Sequence, residues 1–232
     1  MTNDVSAYKE LAAKAAVDTL ESGMVVGLGH GSTVQFALNA ISENLKSGKL
    51  EDIIGIPCST QTETIASSLG IALGDLNDIA HIDITIDGAD EVDPQLNLIK
   101  GGGGALLREK IVAQTSRREI IIIDEGKHSP VLGTNFPLPV EVSSFGWKRQ
   151  LDFLAALGSK PEIRKDKNGD TALTDQGNFL IDCHFAGIAD VEELARKLDA
   201  RSGIMEHGLF LGLASDVVVG GKSGIQHLRA DK

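Results

Sequence analysis

Residues 87–110, DGADEVDPQLNLIKGGGGALLREK, set four acids (Asp87, Asp90, Glu91 and Asp93) ahead of Lys100, four consecutive glycines and a helix-like run carrying Glu109. Like charges repel and glycine weakens regular elements, so stability alone does not ask for this composition. Carboxylates, one ammonium and bare backbone together suit a proton transfer: one group takes and returns the proton while donors hold the charge that develops. Two other readings stand beside this one. A charge run is ordinarily a solvated turn, and paired carboxylates can hold a divalent cation. Against the cation, His81 is the only nearby histidine and Lys100 competes as the local positive charge. Against the turn, Gly101–Gly104 are more glycines than a connection needs, and they suit a backbone that approaches a ligand closely. Glu109 stands early in the following helix, where it either faces back towards the loop or serves only the helix dipole.

A second glycine-rich stretch, GLGHGST at 27–33, falls between a strand pattern and a helix pattern. Backbone N–H groups at such a turn, with the helix N-terminus, form an anion cradle. Ser32 stands where the third glycine of a dinucleotide fingerprint would fall, and no lysine precedes it as in a phosphate-binding P-loop. GGKS at 220–223 lacks the earlier P-loop glycine, because Asp216 occupies that place. The plain alternative for 27–33 is a tight turn with a Ser/Thr helix cap.

The elements that must position these residues alternate. A helix pattern over Val5–Glu21 leads to the strand GMVVGLG, a helix from STVQFALNAISENLK, the strand IIGIPC and a helix over Thr60–Leu69. IDITID, the post-glycine helix ALLREKIVAQTS and the buried strand EIIIID continue the pattern. Strand–helix alternation of this length predicts an α/β fold: a mostly parallel sheet with helices on both faces. Asp87 and the 27–33 turn both follow strands, at the carboxyl edge where such sheets bind ligands. The rhythm changes near Pro130. FPLPVEV, with two prolines, reads as an edge strand or its lead-in. A helix over Trp147–Leu157, a turn near Asn168–Gly169, the strand NFLIDCHF and a helix capped by Asp190 suggest a smaller α+β unit.

With a net charge of −11 and no dense Lys/Arg cluster, nucleic acid and anionic membrane are poor partners. A small anion remains open, since a few local donors can hold one against the global charge. Only Cys58 and Cys183 are present, which suits a reducing compartment rather than a disulfide framework. No signal peptide and no apolar run of membrane-spanning length is legible, so a cytoplasmic protein is expected.

GLGHGST, DGADEVD…LIKGGGGALLREKIVA, DEGK and FPLPVEV occur in an order and spacing that resembles the type A ribose-5-phosphate isomerases. The resemblance covers nearly the full chain and thins to a general pattern over Pro161–Met205. It implies a Rossmann-like domain (1–133 and 206–232) carrying a ferredoxin-like α+β domain (134–205), assembled as a homodimer or homotetramer. It also implies interconversion of ribose 5-phosphate and ribulose 5-phosphate, in the non-oxidative pentose phosphate pathway, without metal or organic cofactor. Glu109 would be the base. Asp87, Asp90 and Lys100 would join it in catalysis, and His30, Gly31, Ser32, Thr33, Gly88, Ala89, Gly101, Gly102, Gly103 and Lys127 would contact substrate. Lys9 stands where the family often places a basic residue near the phosphate.

The chemistry agrees with that implication. An aldose–ketose shift moves a proton from carbon-2 to carbon-1 through an enediolate, a task for one carboxylate acting as base and then acid. Asp87 and Asp90 would raise the pKa of Glu109, while Lys100 and the N–H groups of Gly101–Gly103 would hold the enediolate oxygens. Asp87, Asp90 and Lys100 are candidates for ring opening, and Ser32, Thr33, Lys9 and Lys127 for the phosphate or sugar hydroxyls. Two positions depart from the family pattern. His30 replaces a small residue and reads as a surface imidazole beside the loop mouth, and Gly126 stands where serine is frequent. The competing readings are a non-catalytic sugar-phosphate sensor and another enzyme of related architecture, such as an amino-sugar phosphate isomerase or a CoA transferase. Neither has a use for the 87–110 block.

Overall fold

The structure, a computed structural model, describes residues 5–230. In chain order it contains α1 (Val5–Val17), β1 (Val25–Leu28), α2 (Ser32–Ser47), β2 (Ile54–Pro57), α3 (Thr60–Ser68), β3 (Ala72–Leu73), β4 (Ile84–Asp87), β5 (Glu91–Val92), β6 (Leu98–Ile99) and α4 (Leu106–Thr115). There follow β7 (Glu119–Asp124), β8 (Leu138–Val142), α5 (Lys148–Ala156), β9 (Lys160–Ile163), β10 (Phe179–His184), α6 (Val191–Asp199), β11 (Ile204–His207), β12 (Leu209–Phe210), β13 (Asp216–Gly221) and β14 (Gly224–Arg229). These form two compact units. The first takes the described residues up to Ala89, Arg108–Lys127 and those from Gly212 onward; the second takes Asp90–Leu107 and His128–Leu211.

The first unit is built on a seven-stranded sheet in the order β14-β13-β7-β4-β1-β2-β3. Its pairings are parallel except for the β13–β14 hairpin. Parallel strands covered on both faces need an unbroken apolar run, which the four isoleucines of β7 supply between Glu119 and Asp124, and all six residues are buried. One face packs Val26, Ile84, Ile86 and Ile120 against Ala12, Ala13 and Ala16 of α1 and Val34, Leu38 and Ile41 of α2. The other face gathers Ile56, Cys58 and Ile82 with Val112 of α4. The strand order reverses at β1, with β2 on one side and β4 on the other. Ligands bind α/β sheets at the carboxyl ends of strands at such a switch point. Helix α2 does not open with the expected Ser/Thr cap. Its N-cap is Gly31 at φ 112°, and Ser32 is already helical.

The second unit contains the run β8-α5-β9-β10-α6-β11, with strands in the order β11-β8-β10-β9. All its pairings are antiparallel, a ferredoxin-like arrangement. Strand β8 is therefore interior rather than an edge; of the two prolines that suggested an edge strand or its lead-in, Pro137 falls in the lead-in and Pro139 within the strand. Pro139 is tolerated because its carbonyl, accepting from the Gly208 N–H at 2.8 Å, marks the side on which β11 has already ended at His207. Proline has no N–H to offer on that side, and the Gly208 carbonyl takes its donor from Lys100 at 2.9 Å instead. A small sheet in the order β12-β6-β5 also belongs to this unit, which is wider than 134–205. Its strands are two residues each, too short to show alternation in the sequence.

Glu141 lies in β8 with none of its surface exposed. Oε1 accepts from Thr174 Oγ1 at 2.8 Å and Asn178 Nδ2 at 2.9 Å, and no donor among the described residues reaches Oε2. Burial pushes its carboxyl pKa up, with those two hydrogen bonds pulling the other way. A carboxyl whose folded pKa exceeds its unfolded value stabilises the fold at low pH, and that contribution is lost as pH rises through the folded pKa. Glu141→Gln keeps an acceptor for Thr174 and Asn178. The melting temperature of the wild type is expected to fall relative to this variant from acid towards neutral pH. Parallel pH profiles would show that the carboxyl ionises without cost.

Candidate active site

Strands β1 and β4 pair in parallel with Leu28 opposite Ile86, so the turns that follow them share one edge of the sheet. Asp87 ends β4 and is 1% exposed. Its Oδ1 accepts from the N–H groups of Gly88 at 2.7 Å and His30 at 3.0 Å, which ties the 29–31 turn to β4. The turn can come this close only because residue 29 has no side chain. A Cβ at Gly29 would lie 2.2 Å from Asp87 Oδ1 and 2.6 Å from its Cα. Gly27 likewise makes room for Thr85, so two of the GLGHGST glycines serve strand packing. Gly31, in the left-handed region, turns the chain into α2.

The His30 ring is half-buried, with Nδ1 2.9 Å from Ser59 Oγ, and Ser59 also caps α3. It is not the surface imidazole expected from its position. Held between its own N–H on Asp87 and its ring on Ser59, His30 braces the turn.

Glu109 occupies the first turn of α4 and is 4% exposed. Ligand atoms of Glu109, Asp87 and Cys58 lie within 4.8 Å of one another. The sequence reading used Cys58 only for its redox meaning and missed this neighbourhood. Its signal was its position one residue beyond β2, where its N–H donates to the Leu28 carbonyl at 3.0 Å. These three donors, and separately Asp199, Glu206 and His207, are the groups close enough to hold a cation among the described residues. Asp90, Glu91 and Asp93 belong to neither.

Lys9 of α1 donates to Ser32 Oγ at 3.0 Å, so a lysine stands at the N-terminus of α2, next to Thr33. Lys127 closes a one-turn 3₁₀ helix after β7 in the same unit. There the Gly126 N–H donates to Asp124 Oδ1 at 3.0 Å, and a Cβ at 126 would meet that oxygen at the same distance.

In the second unit, Asp90 donates its N–H to the Ile99 carbonyl at 2.8 Å, and its Oδ2 accepts the Gly102 N–H at 2.8 Å. A Cβ at Gly102 would lie 2.7 Å from Asp90 Oδ1. The Gly102 N–H, expected among the enediolate donors, is thus committed to Asp90. Lys100 is 2% exposed, its N–H donates to the Gly208 carbonyl at 2.9 Å, and its Nζ stands 5.4 Å from the centre of the Phe210 ring. Glu91 and Asp93 serve structure. Glu91 accepts the N–H groups of Gly133, Asn135 and Phe136, and Asp93 accepts those of Gln95 and Asn97.

The family described as ribose 5-phosphate isomerase A (phosphoriboisomerase A) matches residues 54–224. The chain belongs to this family. It is 52% identical to the ribose-5-phosphate isomerase A of Chloroflexus aurantiacus, over 98% of this chain and 95% of that one. To the corresponding protein of Desulfatibacillum aliphaticivorans it is 53% identical over 97% of both chains. The solved ribose 5-phosphate isomerase from Plasmodium falciparum matches with a TM-score of 0.95 at 40% identity, covering 98% of this chain and 100% of that one. A D-ribose-5-phosphate isomerase solved in complex with phospho-erythronic acid matches with a TM-score of 0.95 at 39% identity, covering 97% and 99%. These isomerase relatives lend no support to a sugar-phosphate sensor.

Gly29→Ala is expected to push Asp87 off its place. Displacing a reacting group by about 1 Å can cost on the order of 10²-fold in rate. Steady-state kinetics read alongside the melting temperature test this: a variant of wild-type kcat/KM would show that the carboxylate need not sit where it does.

Proposed function

We propose that Glu109 is the base that moves the proton between carbon-2 and carbon-1 of the sugar phosphate. The chain interconverts ribose 5-phosphate and ribulose 5-phosphate, the reaction of its family, through an enediolate. The observation that carries the proposal is the pair of buried carboxylates, Glu109 and Asp87, gathered at the carboxyl edge of the sheet. Glu109 takes the proton from carbon-2 and returns it to carbon-1. Asp87, with its Oδ1 held by two N–H groups, has a fixed direction and suits proton exchange with the ring oxygen or a hydroxyl, a task we share among Asp87, Asp90 and Lys100. Lys100 and the N–H groups of the glycine loop, Gly102 excepted, stabilise the enediolate oxygens. Gly88 and Ala89 follow Asp87 directly in the chain and offer their backbone to the sugar.

The phosphate brings close to two negative charges to a chain of net charge −11, so it must be held locally. The N–H groups at Gly31–Thr33, the Ser32 and Thr33 hydroxyls, Lys9 and Lys127 are the donors, each charge-assisted bond contributing roughly 1.5–3 kcal/mol. The pairing of Lys9 with Ser32 supports this placement.

We also infer a cytoplasmic protein that associates as a homodimer or homotetramer, acting in the non-oxidative pentose phosphate pathway. Two buried free cysteines suit a reducing compartment. No helix among the described residues is long and apolar enough to cross a membrane. Exposed Phe145 and Leu173 are apolar surface of the kind that association covers.

Glu109→Gln is expected to lower kcat on the order of 10²–10⁴-fold while substrate still binds. The readout is a coupled assay of ribose 5-phosphate turnover run with and without EDTA, and the wild-type rate should not respond to the chelator. Wild-type kcat in the variant would remove Glu109 from the mechanism, and a loss with EDTA restored by Mg²⁺ or Mn²⁺ would bring in a metal.

Lys9→Ala is expected to raise KM for ribose 5-phosphate about tenfold, the equivalent of one charge-assisted bond, and to leave the poor use of free ribose nearly unchanged. Equal losses on both substrates would move Lys9 from the phosphate to the sugar.

A further inference from the structure

We propose that Arg164 is a positioning residue for the isomerase reaction: braced by Asp182, it orients the peptide planes of the glycine loop that meets the substrate. This rests on the reading above in which Gly101–Gly103 contact the sugar. Arg164 lies one residue beyond β9, in a segment from which no functional residue was expected. Its Nε at 2.9 Å and its Nη2 donate to the two oxygens of Asp182 on β10. Its Nη1 donates to the carbonyls of Gly101 at 2.9 Å and Gly102 at 3.1 Å. Both side chains are largely buried, 16% and 20% exposed. The Arg164 backbone is fixed as well, its N–H donating to the Leu180 carbonyl at 2.8 Å and its carbonyl accepting from Ala172 at 3.0 Å.

A run of four glycines has no side chains with which to hold itself, and ordering it costs more backbone entropy than any other sequence. The anchor must come from outside the run. The peptide plane joining Gly101 to Gly102 is gripped at both ends, its carbonyl by Arg164 and its N–H by Asp90. In the next plane, Arg164 holds the Gly102 carbonyl. A trans peptide points its C=O and N–H in opposite directions, so that bond aims the Gly103 N–H away from Arg164. The Gly104 N–H closes the turn on the Gly101 carbonyl at 3.0 Å. With the Gly102 N–H engaged by Asp90, Gly103 supplies the loop donor whose direction Arg164 sets. Only a planar fork can bind a carboxylate through two nitrogens and still offer a third to carbonyls, which lysine cannot reproduce.

The test uses Arg164→Ala, Arg164→Lys, Asp182→Asn and the Ala/Asn double variant, each read by kcat, KM and melting temperature. Arg164→Ala is expected to lower kcat for ribose 5-phosphate about 10²-fold, as small misplacements of oriented groups do, with a smaller change in KM. Asp182→Asn should lose less. The double variant should be no slower than Arg164→Ala, because Asp182 acts through the arginine. Millimolar guanidinium should restore part of the kcat of Arg164→Ala, and methylammonium should not. A purely structural ion pair would instead lower the melting temperature without guanidinium rescue, and that outcome overturns the proposal, as does wild-type kcat in Arg164→Ala. Should Arg164→Ala not fold, Arg164→Lys and Asp182→Asn decide, and wild-type kcat in both overturns it. A wild type inactive on ribose 5-phosphate would bring down the functional reading itself. An active wild type, an inactive Glu109→Gln and a fully active Arg164→Ala would bring down this inference alone.

Discussion

The first unit turns on one carboxylate. Asp87 ends a buried strand, and its Oδ1 holds the N–H groups of His30 and Gly88. A buried charge of this kind is tolerable only with such donors, so the turn after β1 must come to it. That requirement explains Gly29, whose replacement by any other residue would put a carbon inside the carboxylate. It also sets where α2 begins, because the chain pinned at His30 turns at Gly31 and is helical by Ser32. A helix starting on glycine has no side chain of its own to cap it. Lys9 stands beside that N-terminus, donating to Ser32.

Backbone donors bonded to carboxylates recur in the second unit and resolve the acidic stretch into separate tasks. Glu91 gathers three N–H groups of the 133–136 loop, Asp93 closes its own turn, and Asp90 takes the Gly102 N–H. Acids that look alike along the chain are thus distinguished by the backbone each one meets. A charge-dense segment need not be self-repelling when every carboxylate has its own donors. The glycine loop is the converse case, backbone without side chains, and it takes its order from Asp90 on one side and Arg164 on the other.

Strand–helix alternation, the buried β7, the Asp190 cap and the change to a smaller α+β unit were legible in the sequence, because each reports burial or capping within a few residues. Glu109 and Asp87 were legible as a pair of interest through their residue types and their places beside a strand end and a helix start. The resemblance of the glycine and acid motifs to one isomerase family supplied the reaction. Composition alone would have stopped at proton transfer on a small anion.

Other features were decided by the tertiary structure, because they depend on partners far along the chain. Two prolines suggested an edge strand or its lead-in, but β8 lies inside its sheet, with Pro137 just before it and Pro139 placed where β11 ends at His207. The two-residue strands β5, β6 and β12 exist only through one another. Cys58 joins Asp87 and Glu109 only because β2 and β4 flank β1 on the same sheet, with 28 residues of sequence between the thiol and the aspartate. Arg164 reaches a loop more than 60 residues earlier because β9 pairs with β10 and carries it there. Periodicity and composition record which residues are buried and what chemistry they carry. Which groups face one another is set by strand order and register, and those follow from the packing of the whole chain.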